Sequence, residues 1–124
     1  MSYAGIPRIV MDTDDYKRLS GNAVKLLNAL SYQFRGRNNG DLTAAWSVMH
    51  DKIGFRSPAV VKRAKDELLD ANLIMETRQG LFENPGGRCY LYALTWLPIN
   101  ECQGKHLDVA ETTKPIRQFS MEAR

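Results

Sequence analysis

The segment GFRSPAVVKRAKDELLDANLI, residues 54–74, contains the signals for a helix end, a second helix and a strand. Gly54 predicts the end of one helix, because glycine readily adopts the left-handed conformation of a helix stop. Ser57 and Pro58 predict the start of the next helix. The serine hydroxyl can cap the free backbone N–H groups, and proline fits the first turn because its missing N–H is not needed there.

The helix that starts at Ser57 has two different faces. Apolar residues recur at helical spacing on the side expected to face inward, namely Val61, Ala64 and Leu68. Asn72 predicts a left-handed stop, because asparagine tolerates positive φ better than most residues. The residues LIMETR that follow, 73–78, are typical of a strand.

Two further helices are predicted upstream. The first runs from about Ser20 to Gln33, with an apolar stripe of Ala23, Leu26, Leu27, Leu30 and Phe34. The second covers about 44–53 and is expected to direct Trp46, Met49 and Ile53 to the core. Between them, RGRNNGD breaks the chain, and DLT is long enough only for an edge strand.

A second strand, RCYLYALTW at 88–96, is predicted to pair with 73–78 around a long hairpin loop.

The 124 residues suit one domain. We therefore predict a lead-in at 1–18, a folded domain at 19–97 and a polar C-terminal tail at 98–124. Within the lead-in, DTDD is expected to cap or precede a helix. The tail is expected to be extended, disordered or docked elsewhere.

The order of these elements resembles the winged helix-turn-helix superfamily. SPAVVKRAKDELLDANLI is similar to the recognition helix and first wing strand of that superfamily. LSGNAVKLLNAL, GRNNGDLTAAWSVM and YALTWLPINE resemble small proteins of bacterial prophages and integrative elements. The resemblance implies an α+β, mostly α, winged helix-turn-helix fold of three helices and a small antiparallel sheet. It also implies binding of double-stranded DNA, as a transcriptional regulator or a replication or maintenance factor of a mobile element.

Charge is unevenly distributed along the chain. The net charge is only +3, but ten Lys/Arg and two acids lie between Lys17 and Lys65, whereas from Asp66 onward nine acids outnumber six Lys/Arg. A basic concentration of this kind is typical of a protein with one face toward a polyanion. A solvated basic surface is the alternative interpretation.

Side chains around the third helix are the candidates for DNA contact. A helix fits the major groove, its N-terminus attracts phosphate, and basic side chains reach phosphates or guanine edges. Small Ala59 would permit a close approach of the helix to DNA. The resemblance to winged helices adds the basic residues that flank the hairpin loop. The DNA-contacting residues expected are Arg56, Ser57, Ala59, Lys62, Arg63, Arg78, Arg88, Arg35, Arg37 and Thr43.

Other interpretations stay open. Lys62, Arg63 and Lys65 can form a solvated helix face, with Lys62 and Asp66 as a surface ion pair. The apolar and acidic wing tip, 81–84, favours a protein-docking module. Binding of single-stranded nucleic acid would require exposed aromatic side chains in a basic groove.

The sequence offers little for catalysis. The two histidines, His50 and His106, do not cluster with Cys, Asp or Glu at metal-ligand spacing, and there is no phosphate-binding glycine loop. We therefore expect no enzyme activity, no metal and no cofactor.

The absence of a long apolar run predicts no membrane association. Cys89 and Cys102 suggest reduced thiols in the cytoplasm, and a short DNA site suggests a homodimer.

Overall fold

The computed structural model describes residues 2–80 and 89–122, and its fold is α+β and mostly helical. In the described part, the elements are α1 (Arg8–Met11), α2 (Asp14–Lys17), α3 (Gly21–Gln33), α4 (Trp46–Val48), a π-helical segment (Met49–Ile53), α5 (Pro58–Asp70), β1 (Ile74–Arg78), β2 (Leu91–Leu94) and α6 (Phe119–Glu122). The hairpin tip predicted at 81–87 lies outside the described residues, as does Arg88.

Helices α3 and α5 form the centre of the fold. Each begins at a serine whose hydroxyl accepts a backbone N–H three residues on, from Ala23 to Ser20 and from Val60 to Ser57, both at 3.2 Å. The predicted inward face of α5 is buried, and so is the stripe on α3 apart from Phe34, which is half-buried. Glu67 of α5 also accepts the N–H and hydroxyl of Ser20, at 2.9 and 2.6 Å, which fixes the start of α3 against α5.

The second predicted helix differs from expectation at its start. It begins at Trp46 instead of 44, and after one α-helical turn it continues as the π-helical segment. Met49 is fully buried, but Trp46 is 37% exposed, so its prediction as a core residue is wrong. Trp46 and His50 are four residues apart and share an outer face, where their ring centroids lie 4.9 Å apart. Gly54 ends the segment at φ 90°, the left-handed conformation predicted for it.

The sheet consists of β1 and β2 in antiparallel pairing. Ile74 pairs with Leu94 at one end, and the register shifts by one residue between Glu76 and Arg78. β1 covers nearly all of the predicted strand at 73–78, whereas β2 is shorter than the strand predicted at 88–96. Leu42 adds one bridge to Tyr92, which is all that forms of the edge strand predicted at DLT.

The side chain of Asn39 joins three segments of the chain. It is fully buried, and its amide donates to the carbonyl oxygens of Leu94, Leu97 and Pro98 at 2.9–3.2 Å. Its own carbonyl accepts the N–H of Leu94 at 2.8 Å. Asn39 therefore holds the loop after α3 against β2 and the chain that follows it.

Both terminal segments pack on the same core as 19–97. Val10 and Phe119 are buried members of one hydrophobic cluster with α3 and α5. Thr13 caps α2, as expected for DTDD. Arg117 donates to Asp15 at 2.7 Å and to Glu122 at 2.8 Å, and also to the carbonyl of Ala71 at the end of α5. Of the alternatives left open for the tail, docking is the one observed.

We expect Asn39→Asp to lower the free energy of unfolding by about 3 kcal/mol, because the buried amide donor to the carbonyl groups of Leu94, Leu97 and Pro98 is lost. Urea denaturation measures this change. Asn28→Asp is the matched control, since Asn28 is exposed and its side chain makes no hydrogen bond to any described residue. Equal losses in the two variants would show that Asn39 has no special structural role.

The Arg117 cluster predicts an acid-sensitive stability. Hydrogen bonds from Arg117 are the main cause that lowers the pKa of Asp15 and of Glu122 below their ordinary values of 3.8 and 4.5. Because these pKa values are lower in the folded state, the unfolded chain binds more protons at acid pH. The stabilisation is therefore complete above the ordinary values and is lost as pH falls through the lowered ones.

Arg117→Met should reduce stability at pH 7 by roughly 1–3 kcal/mol and flatten the decline below about pH 5. Thermal unfolding across a pH series checks both effects. Arg37→Met is the control, since Arg37 is exposed and has no partner among residues 2–80 and 89–122. A parallel acid decline in wild type and Arg117→Met would contradict the assignment.

Candidate nucleic-acid interface

The outward face of α5 carries the most compact group of predicted residues. Val61, Ala64 and Leu68 turn inward, and this arrangement leaves Ala59, Lys62 and Arg63 exposed on the other side. Arg56, in the turn before the helix, is also exposed. The side chains of Arg56 and Arg63 make no hydrogen bond or ion pair in the described part of the chain. Both guanidinium groups are therefore available to a partner.

The N-terminus of α5 is partly satisfied by the protein itself. The Ser57 hydroxyl accepts the Val60 N–H, and Pro58 has no N–H. The Ala59 N–H has no acceptor among the described residues. Ser57 therefore acts through its cap, while the Ala59 N–H remains free at the positive end of the helix dipole.

Lys62 is engaged in an ion pair on the helix surface. Its ammonium lies 2.8 Å from the Asp66 carboxylate, and this hydrogen bond raises the pKa of Lys62 and lowers the pKa of Asp66. The surface pair considered from the sequence does form. Because such exposed pairs are weak, it does not prevent Lys62 from exchanging Asp66 for a phosphate.

Arg78 has a structural role that the sequence did not indicate. Its guanidinium donates twice to the carbonyl of Cys89, at 2.8 and 3.0 Å, and once to the carbonyl of Lys105 at 2.8 Å. These bonds join the two sides of the hairpin to the C-terminal segment. They use three of the five N–H donors of the side chain, so we remove Arg78 from the expected DNA contacts.

Arg35 and Thr43 lie in a different place from the α5 face. Together with Lys25 and Lys52 they line an open groove between α3 and the π-helical segment, with a volume of about 700 Å³. Gln33 fixes Thr43, because its side-chain amide exchanges two hydrogen bonds of 2.8 Å with the Thr43 backbone. The Thr43 hydroxyl accepts the N–H of Ala45, just before α4, so it caps the approach to that helix.

The structure thus divides the predicted site. Arg56, Ala59, Lys62 and Arg63 are together, Arg37 is exposed in the loop after α3, and Arg35 and Thr43 belong to the groove. Lys25 and Lys52 were missed. Each reads in sequence as an isolated surface lysine, and only the packing of α3 beside the π-helical segment brings them together.

Three comparisons with known proteins return nothing: no family model, no curated protein and no solved structure matches this chain. Among residues 2–80 and 89–122, no three His, Cys, Asp or Glu side chains are placed to hold a metal ion. In the same residues no helix has both the length and the apolar character needed to cross a membrane.

Proposed function

We propose that this protein binds double-stranded DNA through the outward face of α5. The observation that carries the proposal is the division of that helix into a buried apolar face and an exposed face with Arg56, Ala59, Lys62 and Arg63. A helix that is anchored on one side, with basic residues on the N-terminal half of the other, has the form that the major groove accepts.

The arrangement of elements supports a winged helix-turn-helix interpretation. Helix α3, the helix that starts at Trp46 and α5 precede a β-hairpin, and Leu42 provides a third, one-residue edge to the sheet. The tight turn at Gly54–Ser57 between the second and third helices suits a helix-turn-helix. In this interpretation α5 is the recognition helix.

The proposed mechanism involves no catalysis. Arg56, Lys62 and Arg63 replace counterions along the phosphates, which provides affinity that depends on salt. The free N–H of Ala59 suits a phosphate oxygen, and its small side chain lets the helix approach base edges and contact a thymine methyl group.

A single module of this size covers a short site, so specific binding in a genome would require a homodimer or a cooperating partner. We place the activity in the cytoplasm, in line with the two free cysteines, Cys89 and Cys102. The role that fits is a transcriptional regulator or a replication or maintenance factor of a mobile element.

The first test is binding to a labelled random-sequence duplex across a salt series. Wild type should bind with an affinity that falls steeply with salt, and Lys62→Glu/Arg63→Glu should lose at least tenfold in affinity at low salt. Fluorescence anisotropy measures the binding, and circular dichroism confirms that the variant is folded.

Arg8→Glu/Lys114→Glu is the matched control, because it changes the net charge equally at exposed positions on the terminal segments. It should retain most of the affinity. Equal losses of affinity in the two double variants would show that overall charge, and not the α5 face, controls binding. A folded wild type without affinity for the duplex at low salt would overturn the proposal.

Asp66→Asn is expected to raise the affinity for duplex DNA instead of lowering it. It removes a negative charge beside Lys62 and releases that ammonium, so duplex affinity should rise severalfold at low salt and the gain should fade at high salt. Stability should hardly change, as for other exposed pairs. Asp70→Asn removes an exposed negative charge one turn further along α5 and tests how far along the helix such a charge affects duplex affinity. Unchanged duplex affinity in Asp66→Asn would mean that the DNA binds elsewhere.

A further inference from the structure

The groove between α3 and the π-helical segment is the second surface with the features of a binding site. One wall is the exposed side of α3, where Lys25, Asn28 and Tyr32 recur at helical spacing. Lys52 lies on the opposite wall and Arg35 on the connecting loop. Its volume of about 700 Å³ lies within the range of ligand sites.

The groove is positively charged. Lys25, Arg35 and Lys52 face one acid, Asp41, whose carboxylate lies 3.6 Å from the Lys105 ammonium. The ammonium groups of Lys25 and Lys52 form no hydrogen bond or ion pair with any described residue, although that of Lys25 lies 4.9 Å from the ring centroid of Phe55. The groove therefore suits an anionic ligand.

An aromatic ring is open to solvent in the same groove. Tyr32 is 58% exposed, and the Arg35 guanidinium lies 6.0 Å from its ring centroid. Behind it, Ala29, Val48 and Ile53 make the lining apolar. An exposed ring beside cations is the combination on which bases stack while their phosphates meet positive charge.

We propose that this groove binds unpaired nucleotides of single-stranded DNA. One base stacks on Tyr32, the phosphates on either side meet Lys25, Arg35 and Lys52, and the free amide of Asn28 is available to a base edge. An acidic peptide would satisfy the same three cations. The exposed ring favours a nucleotide, because a carboxylate side chain has no flat face to stack.

This site differs from the α5 face proposed for duplex DNA and can be tested separately. The probe is a labelled oligothymidine of about eight nucleotides. Two ligands of matched length and charge accompany it: an oligomer with the same sugar-phosphate backbone but no bases, and an oligoglutamate peptide. Wild type should bind oligothymidine about tenfold more tightly than either, because only oligothymidine can stack.

Tyr32→Leu should remove about tenfold of the affinity for oligothymidine and leave binding of the base-free oligomer unchanged. Tyr3→Leu is its control, since Tyr3 is 92% exposed and does not line the groove. Lys52→Glu should weaken binding of both oligomers, with Lys114→Glu as its control. Urea denaturation establishes that each variant is folded.

Three results would overturn the proposal. These are equal affinity for oligothymidine and the base-free oligomer, equal or tighter binding of oligoglutamate, and no loss in Tyr32→Leu. Lys62→Glu/Arg63→Glu separates the two proposals: it should retain oligothymidine binding while losing duplex binding. Loss of both in that variant would mean that α5 binds both ligands and the groove binds neither.

Discussion

The buried side chain of Asn39 is the interaction on which the arrangement of the fold depends. A fully buried amide must find partners for both its donor and its acceptor groups. Asn39 finds them in β2 and in the turn after it, at Leu94, Leu97 and Pro98. Its backbone adds hydrogen bonds of 2.8 Å in both directions with Asn100. The loop after α3 is thereby joined to residues more than fifty positions further along the chain.

The two candidate surfaces depend on this connection to different degrees. The loop that Asn39 anchors also carries Arg35 to the groove, so the groove takes its shape from a long-range contact. The α5 face depends more on local sequence, because its cap and its inward residues lie within the helix. The contact of Glu67 with Ser20 is the long-range part, and it fixes the position of α5 against α3.

The parts of the fold that sequence could predict are those with a local physical cause. Gly54 and Asn72 have positive φ, as expected, because few other residues adopt that conformation without strain. Trp46 was predicted to face the core together with Met49 and Ile53. It lies beside His50 on the outer face instead, because the spacing of a few apolar residues does not show which side of a short helix the rest of the chain covers. Arg117 gave no signal, because the partners that make it structural are scattered along the chain.

Of the two candidate surfaces, the sequence could predict only the one with a local cause, as for the fold. The exposed side of α5 follows from one helix's periodicity, so Lys62 and Arg63 could be identified in sequence. The groove requires α3, the π-helical segment and a loop to meet, and nothing in the spacing of Lys25, Tyr32 and Lys52 indicates that. Arg78 shows the converse: a basic residue beside a hairpin looked available but is bonded to backbone carbonyl groups.

The two proposed surfaces adjoin, and this bears on the kind of role the protein has. The Lys25 ammonium lies over Phe55, and Arg56, the first residue of the α5 surface, follows Phe55 directly. Under both proposals, a strand that leaves a duplex at α5 would find Lys25 of the groove close to Arg56. If both proposals hold, neighbouring surfaces for duplex and unpaired DNA are of more use to a factor that acts where duplex DNA opens than to one that only occupies an operator.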